Sequence, residues 1–160
     1  MVSGGIVNEF RWKNFDLNML MAYSLGRHIL NDIEKTVLTN ASYALMADLN
    51  EVSFWEKPGD HPDYPKLQNG DTWKSWVDRD VKKVNYLKLK TLVMGYSFPK
   101  KWIRKAGIDE LRFFVSGENL FTWTNYSGLD PETVDITHGI DTMDNYPLAR
   151  KYTLGLTLKF

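Results

Sequence analysis

Between Tyr152 and Lys159, apolar and polar side chains alternate one for one. Tyr152, Leu154, Leu156 and Leu158 fall on one side, Thr153, Gly155, Thr157 and Lys159 on the other, and the run closes on Phe160. Successive side chains of a strand point to opposite faces, so this alternation predicts a strand over about 149–160 with one apolar face. The same period recurs over about 111–123. There Leu111, Phe113, Val115, Phe121 and Trp123 share the odd face, while Arg112, Ser116 and Glu118 share the even one. Asn119 falls on the odd face, which requires either a place near a rim or a bulge. A third strand is expected over about 83–97. Leu87 and Leu89 are in phase, and Leu92, Met94 and Tyr96 are in phase at the opposite parity. One extra residue near Lys90-Thr91 would reconcile the two sets, so a β-bulge is expected in this strand, or else a break into two. Further strands are expected over about 15–25 (Phe15, Leu17, Met19, Met21, Tyr23 and Leu25 on one face) and about 5–12 (Ile6, Phe10 and Trp12).

The connections alternate in length. Lys13-Asn14 is short enough for a hairpin turn. The link over about 26–81 is long, the link from Phe98 to Glu110 is short, and the link over about 124–148 is long again. Within the first long link, Ile29, Ile33 and Val37 recur every four residues beside Leu30, so a short helix over Arg27–Leu38 is expected. Aromatic residues gather at both ends of the strands. Trp12, Phe15, Tyr96, Phe98, Trp102 and Phe160 belong to the end with the short links; Tyr23, Tyr86, Phe121, Trp123, Tyr126 and Tyr146 belong to the other. Two belts of amphipathic rings with alternating short and long connections are the pattern of an outer-membrane β-barrel, its short turns periplasmic and its long loops extracellular. A soluble secreted β-sandwich, in which the same residues form a core, is the rival reading.

Composition narrows the field. The 160 residues carry 20 basic and 20 acidic side chains and no cysteine, so neither nucleic acid nor a disulfide framework is indicated. No apolar run reaches the ~18 residues that a membrane helix needs, which leaves strands as the means of crossing. Met1-Val2-Ser3-Gly4-Gly5 lacks the features of a signal peptide. An exported protein needs one, so a membrane reading places the signal upstream and makes this chain a segment of something longer. Five strands cannot close a barrel, since about eight is the natural minimum.

Several linked stretches have a family likeness. Asn85 to Lys101 (NYLKLKTLVMGYSFPKK), Leu111 to Trp123 (LRFFVSGENLFTW), Tyr126 to Glu132 (YSGLDPE), Tyr146-Pro147 and the closing Tyr152 to Phe160 follow one another at the spacing seen in SusC/RagA-type proteins. Trp55 to Asp60 (WEKPGD) is similar to a loop segment found upstream in that family. The chain therefore resembles the C-terminal segment of a SusC/RagA-type TonB-dependent outer-membrane transporter. The fold this implies is all-β: an antiparallel meander of about five strands from a transmembrane β-barrel, incomplete as a barrel, with residues 1–160 all in the C-terminal wall. The resemblance implies a protein of Bacteroidota with a plugged barrel of about 22 strands. It further implies import of oligosaccharides or peptides, a SusD-like surface lipoprotein as partner, and energy from TonB through a region not in this chain. A TonB-dependent receptor for siderophores or cobalamin is an alternative.

Nothing points to an enzyme or a cofactor. His28, His61 and His138 are isolated, with no paired metal-ligand spacing and no nucleophile motif. Asp130, Glu132, Asp135, Asp141 and Asp144 crowd the second long loop, but without the spacing of an EF-hand. Acidic extracellular loops are common, and no metal site is expected. The remaining candidates are Trp55, Tyr64, Trp73 and Trp76 in the first long loop. Flat aromatic faces stack on sugar rings and line ligand sites. The same rings would also serve to pack the loop or to meet the lipoprotein.

Overall fold

The structure, a computed structural model, describes residues 1–32, 53–66, 76–135, 138–142 and 146–160. In chain order the strands are β1 (Val2–Trp12), β2 (Phe15–Asn31), β3 (Val81–Ser97), β4 (Glu110–Thr124), β5 (Ile140–Asp141) and β6 (Lys151–Lys159). They form one sheet in the order β1-β2-β3-β4-β6, with β5 off that path against β2. Pairings β1–β2, β3–β4 and β4–β6 are antiparallel; β5 lies parallel to β2 through Leu30–Ile140 and Asn31–Asp141. Among the described residues the sheet stays open, with β1 and β6 at its edges.

By contact the chain divides into two units. One comprises Met1–Arg27, Val84–Ser127 and Pro147–Phe160; the other comprises His28–Lys83 and Gly128–Tyr146.

In the first unit the registers show how the two faces are built. Phe10 pairs with Leu17 and Ile6 with Met21 across β1–β2. Met94 pairs with Val115 and Tyr96 with Phe113 across β3–β4, and Phe113, Val115 and Leu111 pair with Leu156, Leu154 and Leu158 of β6. Opposed residues share a face, so on the tight-turn side of the irregularity at Leu89/Thr91 each alternation seen in the sequence continues its neighbour's. On the other face, Arg112 donates to Asp16 at 2.5 Å. A Cβ on Gly95 would land on this same pair, which places Asp16, Gly95 and Arg112 together on one side of β2, β3 and β4. Gly155 leaves room in the same way on β6, where the ring of Phe114 fills the space that a Cβ would take.

Both tight connections lie at one end. The Lys13-Asn14 turn is tied to the end of β3, with Ser97 N–H donating to the Asn14 carbonyl at 2.8 Å and Asn14 Nδ2 to the Ser97 carbonyl at 2.6 Å. The connection from β3 to β4 holds a single α-helical turn, Lys100–Ile103, running into a 3-10 turn, Arg104–Ala106. Gly107 at φ 72° ends it, in the left-handed region that glycine enters without strain. At the opposite end Asn85 gathers three strands: its side-chain oxygen accepts from Gly26 N–H at 2.7 Å, its own N–H donates to Asn125 Oδ1 at 2.8 Å, and its carbonyl accepts from Thr124 Oγ1 at 2.9 Å.

The structure departs from the sequence expectations in three places. The helix expected over Arg27–Leu38 does not begin at Arg27: residues 27–31 continue β2, Asp32 is helical, and 33–38 lie outside the described residues. The break in register does fall opposite Lys90, but the extra residue is on β4, at Asn119, where the sequence allowed a bulge as the alternative to a place near a rim. Leu89 pairs with Phe121 and Thr91 with Glu118, so Asn119 and Leu120 together face Lys90. Asn119 sits at φ 52°, a left-handed conformation that asparagine tolerates better than most residues. Third, Tyr126 is buried rather than set in a belt; its N–H donates to Thr124 Oγ1 at 3.1 Å.

Candidate functional site

The first unit is dominated by its apolar face. Leu154, Leu156 and Leu158 are 72%, 59% and 45% exposed. Ile6, Phe10, Trp12, Leu25, Met94 and Phe113 are also exposed. A sandwich core would cover these residues, and a soluble monomer rarely shows so extended an apolar surface. Trp12, Trp102 and Phe160 are exposed at the tight-turn end, while Phe121 and Trp123 stack at 5.9 Å toward the other. Among the described residues no helix is long and apolar enough to cross a membrane.

The second unit holds the loop aromatics. A short parallel bridge joins Phe54 to Tyr64, with Trp55 N–H donating to the Tyr64 carbonyl at 2.9 Å and Tyr64 N–H to the Ser53 carbonyl at 3.0 Å. Between these segments the chain reverses through Glu56-Lys57-Pro58-Gly59-Asp60. Asp60 holds the reversal, its Oδ2 accepting from Lys57 N–H at 2.9 Å and Glu56 N–H at 3.3 Å. Gly59 takes φ 98°, open to glycine and costly for other residues. Ser53 Oγ closes the base by donating to Asp63 Oδ2 at 2.7 Å and accepting from Asp63 N–H at 3.0 Å.

This clasp shapes a cavity of about 500 Å³ lined by Trp55, Pro62, Asp63, Tyr64, Pro65, Lys66 and Arg79. Tyr64 is only 8% exposed and forms its floor. One side of its environment is the Arg79 guanidinium, 4.6 Å from the ring centre, and another is the Phe54 ring at 5.9 Å. Arg79 is itself held by Asp80 Oδ1 at 3.4 Å and the Asp63 carbonyl at 3.4 Å. A guanidinium stacked on a phenol ring and anchored by acceptors is fixed in orientation, and its flat face and edges suit polar, oxygen-rich molecules.

Of the four aromatic residues singled out in the sequence, the structure brings Trp55 and Tyr64 to this cavity. Trp76 does not line it; its Nε1 donates to Asp32 Oδ1 at 2.9 Å. Trp73 lies outside the described residues. Arg79 was not legible as a site residue: fifteen positions separate it from Tyr64, and no local pattern announces a stacking partner. In the acidic second loop, Asp130 Oδ1 accepts from Glu132 N–H at 3.0 Å and Asp135 Oδ2 meets His138 Nδ1 at 2.5 Å. These carboxylates serve the loop's own turns. Asp144 lies outside the described residues.

No protein-family model matches the sequence. Individual proteins do. TonB-dependent receptor P3 of Formosa agariphila is 34% identical over 165 residues, covering 98% of this chain and 16% of that protein. TonB-dependent receptor SusC of Bacteroides thetaiotaomicron is 26% identical over 158 residues, covering 98% of this chain and 15% of that protein. A solved structure of the RagAB peptide importer in its open-open state matches with a TM-score of 0.76 and 25% identity, over 99% of this chain and 17% of that one. A closed-closed state of the same importer gives a TM-score of 0.77 at 24% identity. The chain thus spans about one sixth of the length of the relatives it matches. A two-faced antiparallel sheet, an open apolar surface and these likenesses agree: over nearly its whole length the chain is similar to one stretch of TonB-dependent receptors, SusC among them, and to the RagAB peptide importer.

Proposed function

We propose that this chain is the C-terminal stretch of the barrel wall of an outer-membrane importer, driven by TonB and working with a SusD-like surface lipoprotein. One observation carries the reading. The leucines of β6 and the aromatic and aliphatic residues in register with them stand open on one face, while the Asp16–Arg112 ion pair occupies the other. Hydrocarbon accepts the first face, and only a wet lumen accepts the second. In this reading the wall segment does no chemistry. It keeps lipid out of the transport path, and its long connections help to form the outer vestibule. The likeness to the RagAB peptide importer supports import as the task and peptides as one cargo class, and the likeness to TonB-dependent receptors supports TonB as the driver.

Within the long connections, Trp55, Tyr64 and Arg79 form the cargo-contacting patch of this proposal. Trp55 offers the stacking face, Arg79 the fixed donors, and Tyr64 the floor beneath both. Trp73 and Trp76 belong to the wider loop surface. The experiment takes the full-length receptor expressed together with a SusD-like lipoprotein from the same organism. Membrane fractionation and quenching of tryptophan fluorescence by brominated lipid test the wall; co-purification of the lipoprotein tests the partnership. Uptake of labelled oligosaccharide and peptide pools by wild type and Trp55→Ala then tests the patch. A soluble, unquenched receptor overturns the wall assignment, and uptake unaltered in Trp55→Ala overturns the patch.

A further inference from the structure

The chain is neutral as a whole, yet its charges are sorted. Residues 1–27, 84–127 and 147–160 hold 13 basic and 5 acidic side chains, whereas 28–83 and 128–146 hold 15 acidic and 7 basic. The positive excess is densest in one connection. Lys100, Lys101, Arg104 and Lys105 all lie within the helical turns between β3 and β4, with no acidic residue among them. All four are exposed, and none makes an ion pair among the described residues. Trp102, in their midst, is 67% exposed, while its neighbour Ile103 is buried and pins the turn to the sheet.

Folding does not account for this arrangement. Lys100/Arg104 and Lys101/Lys105 are like-charge pairs four residues apart, which repel on a helical surface. An external anion would relieve that repulsion. The turn stands at the end of the exposed apolar face, beside Lys13 stacked 5.0 Å over Trp12 and close to the β6 terminus, where Asp109 N–H donates to the Lys159 carbonyl at 2.8 Å. Indole rings ringed by bases at the margin of an apolar band match the chemistry of a lipid headgroup layer that carries negative charge.

We infer that the Lys100–Lys105 turn is a docking site for anionic phospholipid of the periplasmic leaflet, with Trp102 at the headgroup level and the four bases on the phosphates. The inference rests on the barrel reading, which puts the tight connections on the periplasmic side. Such a site would anchor the wall at a fixed depth, and would favour anionic over zwitterionic lipid around this sector of the barrel.

The test uses the full-length receptor, purified in detergent containing equal amounts of phosphatidylglycerol and phosphatidylcholine, with retained lipids counted by native mass spectrometry. Wild type is expected to retain phosphatidylglycerol several-fold over phosphatidylcholine; each base near an anionic surface is worth roughly fivefold in partitioning before saturation. The combined Lys100→Gln, Lys101→Gln, Arg104→Gln and Lys105→Gln variant is expected to lose most of that preference, and a variant with Lys100→Arg and Lys101→Arg to keep it. Added inorganic phosphate at millimolar concentration is expected not to displace the lipid; displacement would mean a free-anion site and overturn the assignment. Equal preference in wild type and the glutamine variant also overturns it. Quenching of tryptophan fluorescence by brominated lipid, measured on the same samples, reports separately on the barrel reading: loss of quenching sinks that reading, whereas quenching without lipid preference sinks this inference alone.

Discussion

Leu154 and Thr153 are adjacent in β6 and differ in the solvent each is expected to meet. Leu154 pairs with Val115 on the open apolar face, and Thr153 pairs with Ser116 on the opposite face. Replacing each by arginine is therefore a matched experiment at one depth. The nine residues of β6 extend about 30 Å at ~3.4 Å per residue. A strand tilt of about 40° reduces this to about 23 Å of height, close to the ~25 Å apolar band of an outer-membrane barrel. Gly155, the central residue of β6, then lies near the midplane, with Leu154 and Thr153 only a few ångströms away. An arginine on the lipid face at that depth costs about 2–4 kcal/mol, and one on the lumen face very little. If this sheet faced water on both sides, Leu154→Arg at a site 72% exposed would fall within about 0.5 kcal/mol of neutral. The assay is guanidinium unfolding of the full-length receptor in lipid vesicles, followed by tryptophan fluorescence and by the shift of the folded band on unheated gels. Leu154→Arg is expected to lower the folding equilibrium by about 30- to 900-fold, the equivalent of 2–4 kcal/mol at room temperature. Thr153→Arg is expected to leave it within about threefold. Equal effects of the two substitutions would refute the assignment of faces.

Three further outcomes follow from particular contacts. Gly155→Ala drives a methyl group into the Phe114 ring and is expected to cost about 1–3 kcal/mol; the pair Gly155→Ala with Phe114→Leu should recover most of it in the same unfolding assay. Asn119→Val forces a β-branched residue to φ 52° and is expected to cost about 1–3 kcal/mol, whereas Asn119→Gly should stay near neutral; unfolding midpoints of the two variants decide it. Asp60→Ala removes the acceptor for Glu56 and Lys57 N–H. It is expected to speed hydrogen exchange at those two amides by roughly tenfold without altering exchange in β4, read by mass spectrometry of peptides from the full-length receptor.

The faces of the sheet were legible because alternation is a local property. Tyr152 to Lys159 needs no partner to reveal which side is apolar, and the pairing of Leu156 with Phe113 only joins two such sides. What escaped the sequence was non-local. Ile29 and Leu30 read as members of a helical stripe, but Leu30 N–H finds the Gly139 carbonyl at 2.9 Å, more than a hundred residues on; that partner decides for strand. The phase change in β3 signalled irregular pairing at Lys90 and the odd-face place of Asn119 allowed a bulge in β4; register decides between the two strands, and Asn119 accepts the left-handed conformation more readily than Lys90 or Thr91 would. In the second unit, Trp55 and Tyr64 were visible as aromatic residues in a loop, but the clasp that joins them and the stacking of Arg79 are products of the fold.

The lengths of β2 and β3 carry one more consequence. Each has 17 residues, whereas about 9–11 suffice to cross a bilayer. The surplus amounts to about 20–25 Å of hydrogen-bonded ribbon on each strand. On the proposed barrel reading the tight turns lie at the inner boundary, and that surplus would project outward as a parapet above the membrane. Cargo arriving from outside would meet ordered sheet before it reached the level of the lipid. A mouth built this way keeps its width without help from flexible loops, and a lid seated on it would rest on a firm rim.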